Sequence, residues 1–424
     1  MQVLLKRLNE YYKDGKEINV FVIGTGFMGS SLVAQLNLID GFKCNIIYNR
    51  TYSKAIETFL SCGVEKESIH TINKKEDYNS QGFFIPTDPY EFIDLAQIDV
   101  IVDATGSTYE GAKIAYAAIK AKKHLVSLNV ECDVVIGPIL SKMAKEAGVC
   151  YTGIAGDEPG SVKELFDFAE FLGFEVMAIG KGKNNPLDLS ANNESVYEEA
   201  KGKGLSPYML ATFVDGSKTM EELTMMCNAT GFKPDTIGAH GIKSDLKDLD
   251  QKLRIKSEGG LLNNYKVADF VFGIAPGVFI MVKAKHDLID YEMRFLKIGQ
   301  GPYYILYRPF HLTSIEVPIT IAQAFFYNTP TISPRSDKPF ADTVAVAKVD
   351  LKAGDNLGRP GGKAAYGTIT TYEDSIKRNL LPYGFISADT ILVNDIKKGD
   401  FITYDDVIIP ESKLYDLRKE MDGK

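Results

Sequence analysis

Residues 18–29 read INVFVIGTGFMG, and the fold of the first part of the chain can be worked out from them. The β-branched apolar run Ile18–Ile23 predicts a buried strand, which leads into a GxGxxG pattern and then a helical pattern. In that setting Gly24 permits a tight turn, Gly26 lets the backbone approach a pyrophosphate, and Gly29 allows close helix packing. The loop predicts dinucleotide binding, with a plain strand–helix turn as the alternative. The predicted cofactor-binding residues here are Gly24, Thr25, Gly26, Phe27, Met28 and Gly29.

The first 155 residues alternate predicted strands and helices. Buried strands are predicted next at Cys44–Tyr48, Ile98–Ala104 and His124–Ser127, with helical patterns between them. These runs lack period-two alternation, which is typical of strands covered on both faces. Residues 1–155 are therefore predicted to form an α/β Rossmann domain, a doubly wound parallel sheet that binds NAD(P).

The rest of the chain predicts two further domains. Residues 156–335 mix helices and strands, so we expect an α+β domain that carries substrate binding, catalysis and oligomerisation. Residues 336–424 are rich in turns, and similar phrases, LKAGD and IKKGD, occur at 351–355 and 396–400. This repeat predicts paired hairpins in a small β-rich domain.

Length, charge and cysteine use exclude several classes of protein. The 424 residues are 45% hydrophobic and 25% charged, which is typical of a globular protein, and the net charge of −8 argues against binding nucleic acid or anionic membranes. The apolar runs are far shorter than the roughly 20 residues of a membrane span, and we see no secretion signal. The 5 scattered cysteines include no CxxC pair, so a reducing, cytoplasmic location is expected.

The end of the second strand predicts which nicotinamide cofactor is bound. At the place where an acidic residue usually binds the adenosine ribose, the chain has Asn49, Arg50 and Thr51. A guanidinium matches phosphate oxygens, so we expect NADP(H) in preference to NAD(H), with an ordinary surface charge at Arg50 as the alternative.

A second loop is predicted to face the cofactor. It follows the strand at 98–104 and contains Ala104, Thr105 and Gly106; Asn129 ends the next strand and is assigned to the same site. Thr105 or Ser107 is also a candidate N-cap for the following helix, and the two roles are compatible.

Paired carboxylates are candidates for catalysis and for a metal. Asp157 and Glu158 follow a predicted strand, and Glu131 follows another, so together they are a candidate site for Mg²⁺ or Mn²⁺. The alternative is a turn before a helix, because Ser161 and Glu164 have the spacing of a capping box.

The phrase GKGKNNPLD at 180–188 is the most informative part of the middle region. Lys181 and Lys183 flank a glycine after a strand, so their ammonium groups are candidates to bind a phosphate or to protonate a developing alkoxide. A solvated basic turn is the alternative. The remaining candidate catalytic residues of this phrase are Asn184, Asn185 and Asp188.

Arg308 and His311 are weaker catalytic candidates. Arg308 suits a bidentate clamp on a phosphate or carboxylate. His311 lies three residues further on, and a lone histidine is more often structural than catalytic.

Several of these motifs together resemble a known family. The chain resembles the homoserine-dehydrogenase-like oxidoreductases that carry a C-terminal SAF domain, on the residues 24–29, 103–107, 156–160, 180–188, 307–312, 347–355, 380–385 and 395–400. Within that group it is similar to the type II, DXR-like 1-deoxy-D-xylulose 5-phosphate reductoisomerases. The resemblance implies NADPH, a divalent cation, and conversion of that ketose phosphate to 2-C-methyl-D-erythritol 4-phosphate, a precursor of isoprenoids. It also implies that residues 336–424 form the SAF domain.

One departure from the family pattern keeps other functions open. True homoserine dehydrogenases carry a lysine directly after the asparagine that stands here as Asn129, whereas this chain has Val130. A dehydrogenase of homoserine, a sugar acid or another polyol without isomerisation is the first alternative, and a non-catalytic NADP-binding sensor is the second. The expected partners are a small polyol or sugar phosphate and, from the apolar residues 324–327, a second copy of the chain.

Overall fold

The computed structural model describes residues 1–79 and 81–423. Its helices are α1 Gln2–Lys13, α2 Phe27–Leu36, α3 Tyr52–Ser61, α4 Thr108–Lys120, α5 Val130–Ala147, α6 Glu158–Phe171, α7 Tyr197–Gly202, α8 Pro207–Val214, α9 Ser217–Thr230, α10 Leu249–Lys252, α11 Asp287–Phe295, α12 Val317–Tyr327, α13 Tyr372–Lys377 and α14 Lys413–Asp422. Its strands are β1 Ile18–Ile23, β2 Phe42–Tyr48, β3 Ile69–Ile72, β4 Phe83–Pro86, β5 Val100–Asp103, β6 His124–Ser127, β7 Tyr151–Thr152, β8 Glu175–Gly182, β9 Lys233–Pro234, β10 Ile242–Lys243, β11 Val267–Phe272, β12 Val278–Lys283, β13 Tyr303–Arg308, β14 Ala341–Ala347, β15 Ala365–Thr371, β16 Ile391–Leu392 and β17 Val407–Ile408.

The chain divides into two compact units. Unit 1 consists of Met1–Gly160, Leu312–Ser333 and Asp416–Lys424, and unit 2 consists of Ser161–His311 and Pro334–Tyr415. The first boundary falls near the predicted end of the Rossmann domain, but each unit also takes in segments from later in the chain. The helices of the described residues include none that is both long and apolar enough to cross a membrane.

Unit 1 contains a seven-stranded parallel sheet in the order β3-β4-β2-β1-β5-β6-β7. The apolar run of β1 lies at its centre, where Val20 and Val22 are completely buried. This arrangement confirms the predicted α/β class with a doubly wound parallel sheet. The chain order reverses beside β1, which places its carboxyl end at the crevice where such sheets bind ligands.

Two strands of this sheet were not predicted from the sequence. The strands β3 and β4 lie in a polar stretch, and β3 exposes both His70 and Thr71 because it is the edge strand. Helix α5 also begins at Val130, four residues before the predicted start at Val134, because the Asn129 side chain caps it. Edge strands and helix ends carry the weakest hydrophobic pattern, so these differences fall where patterning is least informative.

The apolar residues at 324–327 form the exposed patch that the sequence predicts only in part, because Tyr327 is exposed whereas the other three are buried or half-buried. Ala324 is buried, and the rings of Phe325 and Phe326 each lie 5.5 Å from the ring of Tyr11 on α1. Phe325 and Phe326 therefore pack inside unit 1, where α1 packs on α12, and self-association through residues 324–327 stays a prediction.

Unit 2 is built on a mixed sheet in the order β10-β11-β8-β12-β13, with β9 also paired to β11. Strand β8 is central, parallel to β11 and antiparallel to β12. One face packs Ile179 and its neighbours against Leu223 and Met226 of α9, and the opposite face packs Phe279 against Leu249 of α10. The carboxyl end of β8 thus leaves the sheet beside α9.

The structure does not separate residues 336–424 as a third unit. The hairpin β14–β15 packs on α9, and the buried hydroxyls of Thr224 and Thr343 are 2.8 Å apart. The two similar segments, 351–355 and 396–400, pair with each other, because Leu351 and Ile396 exchange backbone hydrogen bonds of 2.8 and 3.0 Å. The packing on α9 explains why residues 334–415 group with 161–311, and the SAF assignment stays a prediction.

Candidate functional site

The glycine loop, Gly24–Gly29, follows β1 and enters α2. Gly24 has φ +103°, and a Cβ there would lie 2.5 Å from the carbonyl of Ala104. A Cβ on Gly29 would lie 1.9 Å from the carbonyl oxygen of Gly24. By contrast, no described atom lies within 4 Å of a Cβ built on Gly26. Two glycines are therefore needed for packing, whereas Gly26 borders open space at the N-terminus of α2.

The residues at the start of α2 fit a dinucleotide pyrophosphate. Gly26 is the N-cap, and no side chain of the described residues caps this helix, so its first amides are left for a ligand. The hydroxyl of Thr25 is buried and has no hydrogen-bond partner within the described chain. Phe27 and Met28, which follow the cap, are exposed. Backbone donors, positive helix potential and open space are the features that this cofactor requires.

The loop after β5 is held rigidly beside the glycine loop. The buried carboxylate of Asp103 accepts hydrogen bonds from the amide and hydroxyl of Thr105, at 2.9 and 2.7 Å. Burial raises the pKa of Asp103, while these hydrogen bonds oppose the shift. Ser107 caps α4 through the amide of Glu110, so the capping role predicted for this loop is confirmed for Ser107. Ala104 and the amide of Thr105 thus adjoin Gly24, and cofactor binding by residues 104–106 stays a prediction.

Asn129 does not face the cofactor site as the sequence predicts. It is fully buried, and its amide nitrogen donates to Asp103 at 3.0 Å and to the carbonyl of Ser107 at 2.9 Å. Its oxygen accepts from the amide of Cys132 at the start of α5. With both ends of the amide engaged internally, Asn129 orients the loop at 103–107.

The end of β2 presents a basic, hydroxyl-bearing surface. Asn49 accepts a 2.8 Å hydrogen bond from the amide of Thr51, which shapes the turn into α3. Arg50 and Thr51 are exposed, and no carboxylate stands among residues 48–54. The position at which the sequence predicts cofactor selection therefore carries an exposed guanidinium.

Asp157 acts as a helix cap in unit 1. Helix α6 begins at Glu158, and the carboxylate of Asp157 accepts a 2.8 Å hydrogen bond from the amide of Gly160. The predicted capping box at Ser161 and Glu164 is therefore wrong, because a cap at Ser161 requires a helix that begins at residue 162, and α6 begins four residues earlier. Gly160 is obligatory here, since a Cβ would lie 1.9 Å from the carbonyl oxygen of Ile154.

The predicted metal site is not assembled. Among residues 1–79 and 81–423, no three His, Cys, Asp or Glu side chains come together as a metal ion would need. Asp157 caps α6, whereas Glu131 lies in the first turn of α5, so the three carboxylates Asp157, Glu158 and Glu131 do not form a ligand set. Within the described part of the chain, the three candidate carboxylates therefore do not fit a resident divalent cation.

The lysine pair, Lys181 and Lys183, lies at the carboxyl end of β8 in unit 2. Both side chains are buried on the sheet face that packs against α9. Lys181 forms an ion pair with Glu222 of α9. A buried charge is costly unless it is paired, so Glu222 is what allows Lys181 to stay charged in this position. The predicted alternative of a solvated basic turn does not describe these two lysines.

Lys183 is held differently from Lys181. Its ammonium donates to the carbonyl oxygen of Phe213 at 2.6 Å, near the end of α8. Burial lowers the pKa of Lys183 to about 8, and the positive charge of Lys181 acts in the same direction. A group with this pKa exchanges a proton near neutral pH, as a general acid or base must.

A second buried ion pair in unit 2 was missed by the sequence reasoning. The ammonium of Lys348 lies 2.7 Å from the carboxylate of Asp215 and 2.9 Å from the carbonyl oxygen of Gly362. Burial raises the pKa of Asp215, while Lys348 opposes the shift. No spacing rule connects residues 215 and 348, because their proximity depends on the packing of the segment after β14.

The remaining residues of the 184–188 segment are at the surface. Asn184 and Asp188 are exposed and Asn185 is half-buried. Asp188 accepts hydrogen bonds from the hydroxyl and amide of Ser190, at 2.6 and 2.9 Å, and these bonds lower its pKa. The turn interpretation therefore describes this segment, which follows directly on the lysine pair.

Arg308 is engaged within unit 2. Its guanidinium contacts the Ser161 hydroxyl and the Glu164 carboxylate, each at 3.0 Å, and lies over the ring of Phe310 at 4.8 Å. His311 is half-buried.

Residues 156–317 match the family model "Oxidoreductase DRL, catalytic domain". The matched range contains the lysine pair, Asp157, Arg308 and the central sheet of unit 2. The chain is also similar to the homoserine dehydrogenase of Bacillus subtilis (strain 168), with 25% identity over 189 residues, which is 43% of this chain and 41% of that protein. The chain therefore spans about two fifths of the length of this curated relative.

Two of the similar solved structures are a probable dehydrogenase and a reductoisomerase. The first, from Thermotoga maritima, has 16% identity, a TM-score of 0.39 and 82% coverage of each chain. The second is a 1-deoxy-D-xylulose 5-phosphate reductoisomerase from Zymomonas mobilis in complex with NADPH, with 17% identity, a TM-score of 0.35 and coverage of 49% of this chain and 57% of that one. Scores this low carry no argument about activity. The Rossmann unit and the matched catalytic domain together support an NAD(P)-dependent oxidoreductase.

Proposed function

We propose that this protein is an NADPH-dependent reductase of a small, polyhydroxylated and phosphorylated carbonyl compound. The observation that carries the proposal is the lysine pair, two buried ammonium groups in the region that matches an oxidoreductase catalytic domain. Carbonyl reduction needs a group that protonates the new alkoxide, and a buried lysine with a pKa near the working pH meets that need.

Unit 1 would bind the cofactor. The free amides at the start of α2 would hold the pyrophosphate, and Arg50 with Thr51 would bind a 2′-phosphate, which favours NADPH over NADH. When bound, NADPH supplies the hydride. The loop at 104–106, oriented by Asp103 and Asn129, would limit water access along the cofactor.

Unit 2 would supply the acid–base group. Lys183 would donate its proton to the oxygen that gains negative charge, and Lys181 would stay charged through Glu222 and keep the pKa of Lys183 low. The exposed segment Asn184–Asp188 would offer amide donors to the hydroxyls or phosphate of the substrate. No step runs through a divalent cation, because the candidate carboxylates do not form a ligand set.

The specific reaction favoured by the resemblance is the reductoisomerase reaction on 1-deoxy-D-xylulose 5-phosphate. It combines a rearrangement of the carbon skeleton with a reduction, and the match to the DRL catalytic domain supports it. The second candidate is a homoserine or polyol dehydrogenase, which the similarity to homoserine dehydrogenase favours. Val130 counts against homoserine, since it cannot replace the lysine of those enzymes.

The test follows NADPH absorbance at 340 nm with 1-deoxy-D-xylulose 5-phosphate, with and without Mg²⁺ or Mn²⁺, and identifies the product by mass spectrometry. Formation of 2-C-methyl-D-erythritol 4-phosphate supports the reductoisomerase. Oxidation of homoserine or a polyol by NADP⁺, with no reaction of the ketose phosphate, supports the second candidate. NADPH binding without turnover across both substrate sets contradicts the proposal and favours a sensor.

A further inference from the structure

The ammonium group of Lys348, just after β14, is held by three acceptors in the interior of unit 2. It lies 2.7 Å from the carboxylate of Asp215 and donates to the carbonyl oxygens of Ala191 and Gly362, at 2.5 and 2.9 Å. An ammonium group has three N–H donors, so this one has none left for a substrate. Lys348 is therefore a fixed structural contact and not an acid–base group.

Lys183, by contrast, is satisfied only in part. Within the described residues its ammonium donates to one acceptor, the carbonyl oxygen of Phe213, at 2.6 Å. Two of its N–H donors are thus left for a ligand. A lysine that is held by a single carbonyl is oriented only as firmly as that carbonyl, so the contacts that fix Phe213 also decide where the ammonium of Lys183 lies.

The ion pair between Lys348 and Asp215 fixes that carbonyl. Phe213 is in the last turn of α8, and Asp215 is the C-cap of this helix. The carboxylate of Asp215 also accepts a 2.8 Å hydrogen bond from the amide of Ser217, where α9 begins. A helix of eight residues depends on tertiary contacts for its order, so the ion pair at its end controls the position of the Phe213 carbonyl.

The same ion pair fixes the segment that follows Lys183, residues 184–191. The amide of Asp188 donates to the carbonyl oxygen of Val214 at 3.0 Å, and Ala191 offers its carbonyl oxygen to Lys348. One contact therefore lies beside the carboxylate of the ion pair and the other lies on its ammonium. The segment is attached at the same point as the end of α8.

The carboxylate of this ion pair also acts on Lys183 through its charge. Burial and the ammonium of Lys181 on β8 lower the pKa of Lys183, whereas the carboxylates of Glu222 on α9 and Asp215 after α8 raise it. Titratable groups that face Asp215 itself are Lys348, Tyr366 and Tyr383. A change at Asp215 should therefore be detected at Lys183 even where the fold is kept.

We propose that Lys348 and Asp215 are positioning residues for Lys183, because their ion pair fixes the carbonyl that orients its ammonium and the segment that follows it. The inference rests on the proposed function, in which Lys183 protonates the new alkoxide. It adds that residues 334–415, which lie outside the range matched to the oxidoreductase catalytic domain, complete the catalytic site of unit 2.

The first test removes the charge of Asp215 and keeps its shape. In Asp215→Asn the side chain can still accept from Ser217, but the pKa of Lys183 should fall from about 8 by about one pH unit. NMR of ¹³C-labelled lysine measures it, with the signal assigned by Lys183→Met, and the fall of kcat at high pH should begin correspondingly lower. The matched control is Glu194→Gln, because Glu194 pairs with Lys363 at the surface.

The titration separates this inference from the proposed function. It needs no turnover, so if no carbonyl substrate is reduced, the proposed function fails and the titration still decides whether Asp215 acts on Lys183. An unchanged titration of Lys183 in folded Asp215→Asn, or an equal change in the Glu194→Gln control, overturns the inference.

The second test removes both charges. Lys348→Met alone leaves a buried carboxylate without its cation, so it is combined with Asp215→Leu. In this double variant, amides of residues 184–191 should exchange with D₂O at least about tenfold faster. The value of kcat should fall about 10²-fold, the usual effect of misplacing a reacting group, with NADPH binding unchanged.

The matched control for the second test is Lys363→Met with Glu194→Leu, which removes the exposed ion pair and should change neither exchange nor kcat. A double variant of Lys348 and Asp215 that keeps the exchange rates and kcat of the wild type overturns the inference. So does one in which KM alone rises, since the ion pair would then act on substrate binding and not on Lys183.

Discussion

The glycine loop and the lysine pair are both at carboxyl ends of central strands, but they are built in opposite ways. The glycine loop depends on the absence of side chains. A Cβ on Gly24 or Gly29 would collide with the backbone, and Gly26 borders open space. The lysine pair works through side chains that are buried and charged, and it depends on partners from α8 and α9. A backbone site is encoded locally, whereas a buried charged site is encoded by residues far apart in the chain.

The largest effect is expected from Lys183→Met. Removing the group that protonates the alkoxide should lower kcat about 10²- to 10⁴-fold, the usual contribution of general acid catalysis. Steady-state NADPH oxidation measures it, with cofactor binding followed in parallel to show that unit 1 is intact. Lys201→Met, at an exposed lysine, is the control and should not change turnover. Unchanged kcat in Lys183→Met would remove this residue from the site.

Next in size is the change Glu222→Gln. It leaves the buried ammonium of Lys181 without its charged partner and should cost about 3–5 kcal/mol of the free energy of unfolding of unit 2. The double variant Lys181→Met with Glu222→Leu removes both charges and should recover most of that loss. Urea unfolding of Lys181→Met, of Glu222→Leu and of their double variant forms a double-mutant cycle, and two additive single losses would contradict a specific pair.

Two substitutions in the glycine loop should separate an effect on the stability of unit 1 from an effect on cofactor binding. Gly29→Ala should destabilise unit 1 by about 1–3 kcal/mol, because its Cβ meets the carbonyl of Gly24. Gly26→Ala should leave thermal unfolding unchanged but weaken NADPH binding at least about tenfold, because its Cβ enters the space that the pyrophosphate needs. If Gly26→Ala binds NADPH as well as the wild type does, the open space beside Gly26 is not where the pyrophosphate binds.

The pH dependence of the lysine pair should follow Lys183. Carbonyl reduction requires protonated Lys183, so kcat should fall about tenfold per pH unit above about 8. The folded pKa lies below that of an unfolded lysine, so the unfolded chain binds more protons between pH 8 and 10.5 and the contribution of Lys183 to stability rises across that range. The unfolding free energies of wild type and Lys183→Met, measured at pH 7 and pH 10, test this. The difference between the two proteins should change in favour of the wild type as the pH rises, and an unchanged difference would contradict a lowered pKa for Lys183.

The smallest effect concerns Asp157. If it is a helix cap, Asp157→Ala should cost about 1 kcal/mol, while Asp157→Asn should be nearly neutral because asparagine caps as well as aspartate. Thermal unfolding of both variants checks this. A loss of activity in Asp157→Asn that added Mn²⁺ reverses would instead show a metal role for this carboxylate.

The sequence predicts the local features of unit 1 well and the partners in unit 2 poorly. The run Ile18–Ile23 and the spacing of Gly24, Gly26 and Gly29 identify the strand, the turn and the helix, because each residue acts on its immediate neighbours. The positions of Lys181 and Lys183 at the end of a strand were also predictable from a short phrase.

What could not be predicted depends on tertiary packing. Glu222 and Asp215 have no local motif, and they become parts of a site only because α9 lies on β8 and the segment after β14 returns to it. Asn129 was assigned to the cofactor because it ends a strand, yet the strand end turns its side chain inward to Asp103. The carboxylates at 131, 157 and 158 all follow predicted strands, but among the described residues they do not form a group of three that could hold a metal ion.

The contact between Lys348 and Asp215 has a consequence for how this protein can be divided. A fragment ending near residue 335, the boundary that a motif search suggests, would retain the carboxylate of Asp215 in the interior and lose the cation that neutralises it. Such a truncated gene product should be recovered as insoluble aggregate, whereas adding the missing segment as a separate polypeptide during refolding should restore solubility. In expression trials and domain exchange, residues 161–311 and 334–415 should therefore be kept together as one folding unit.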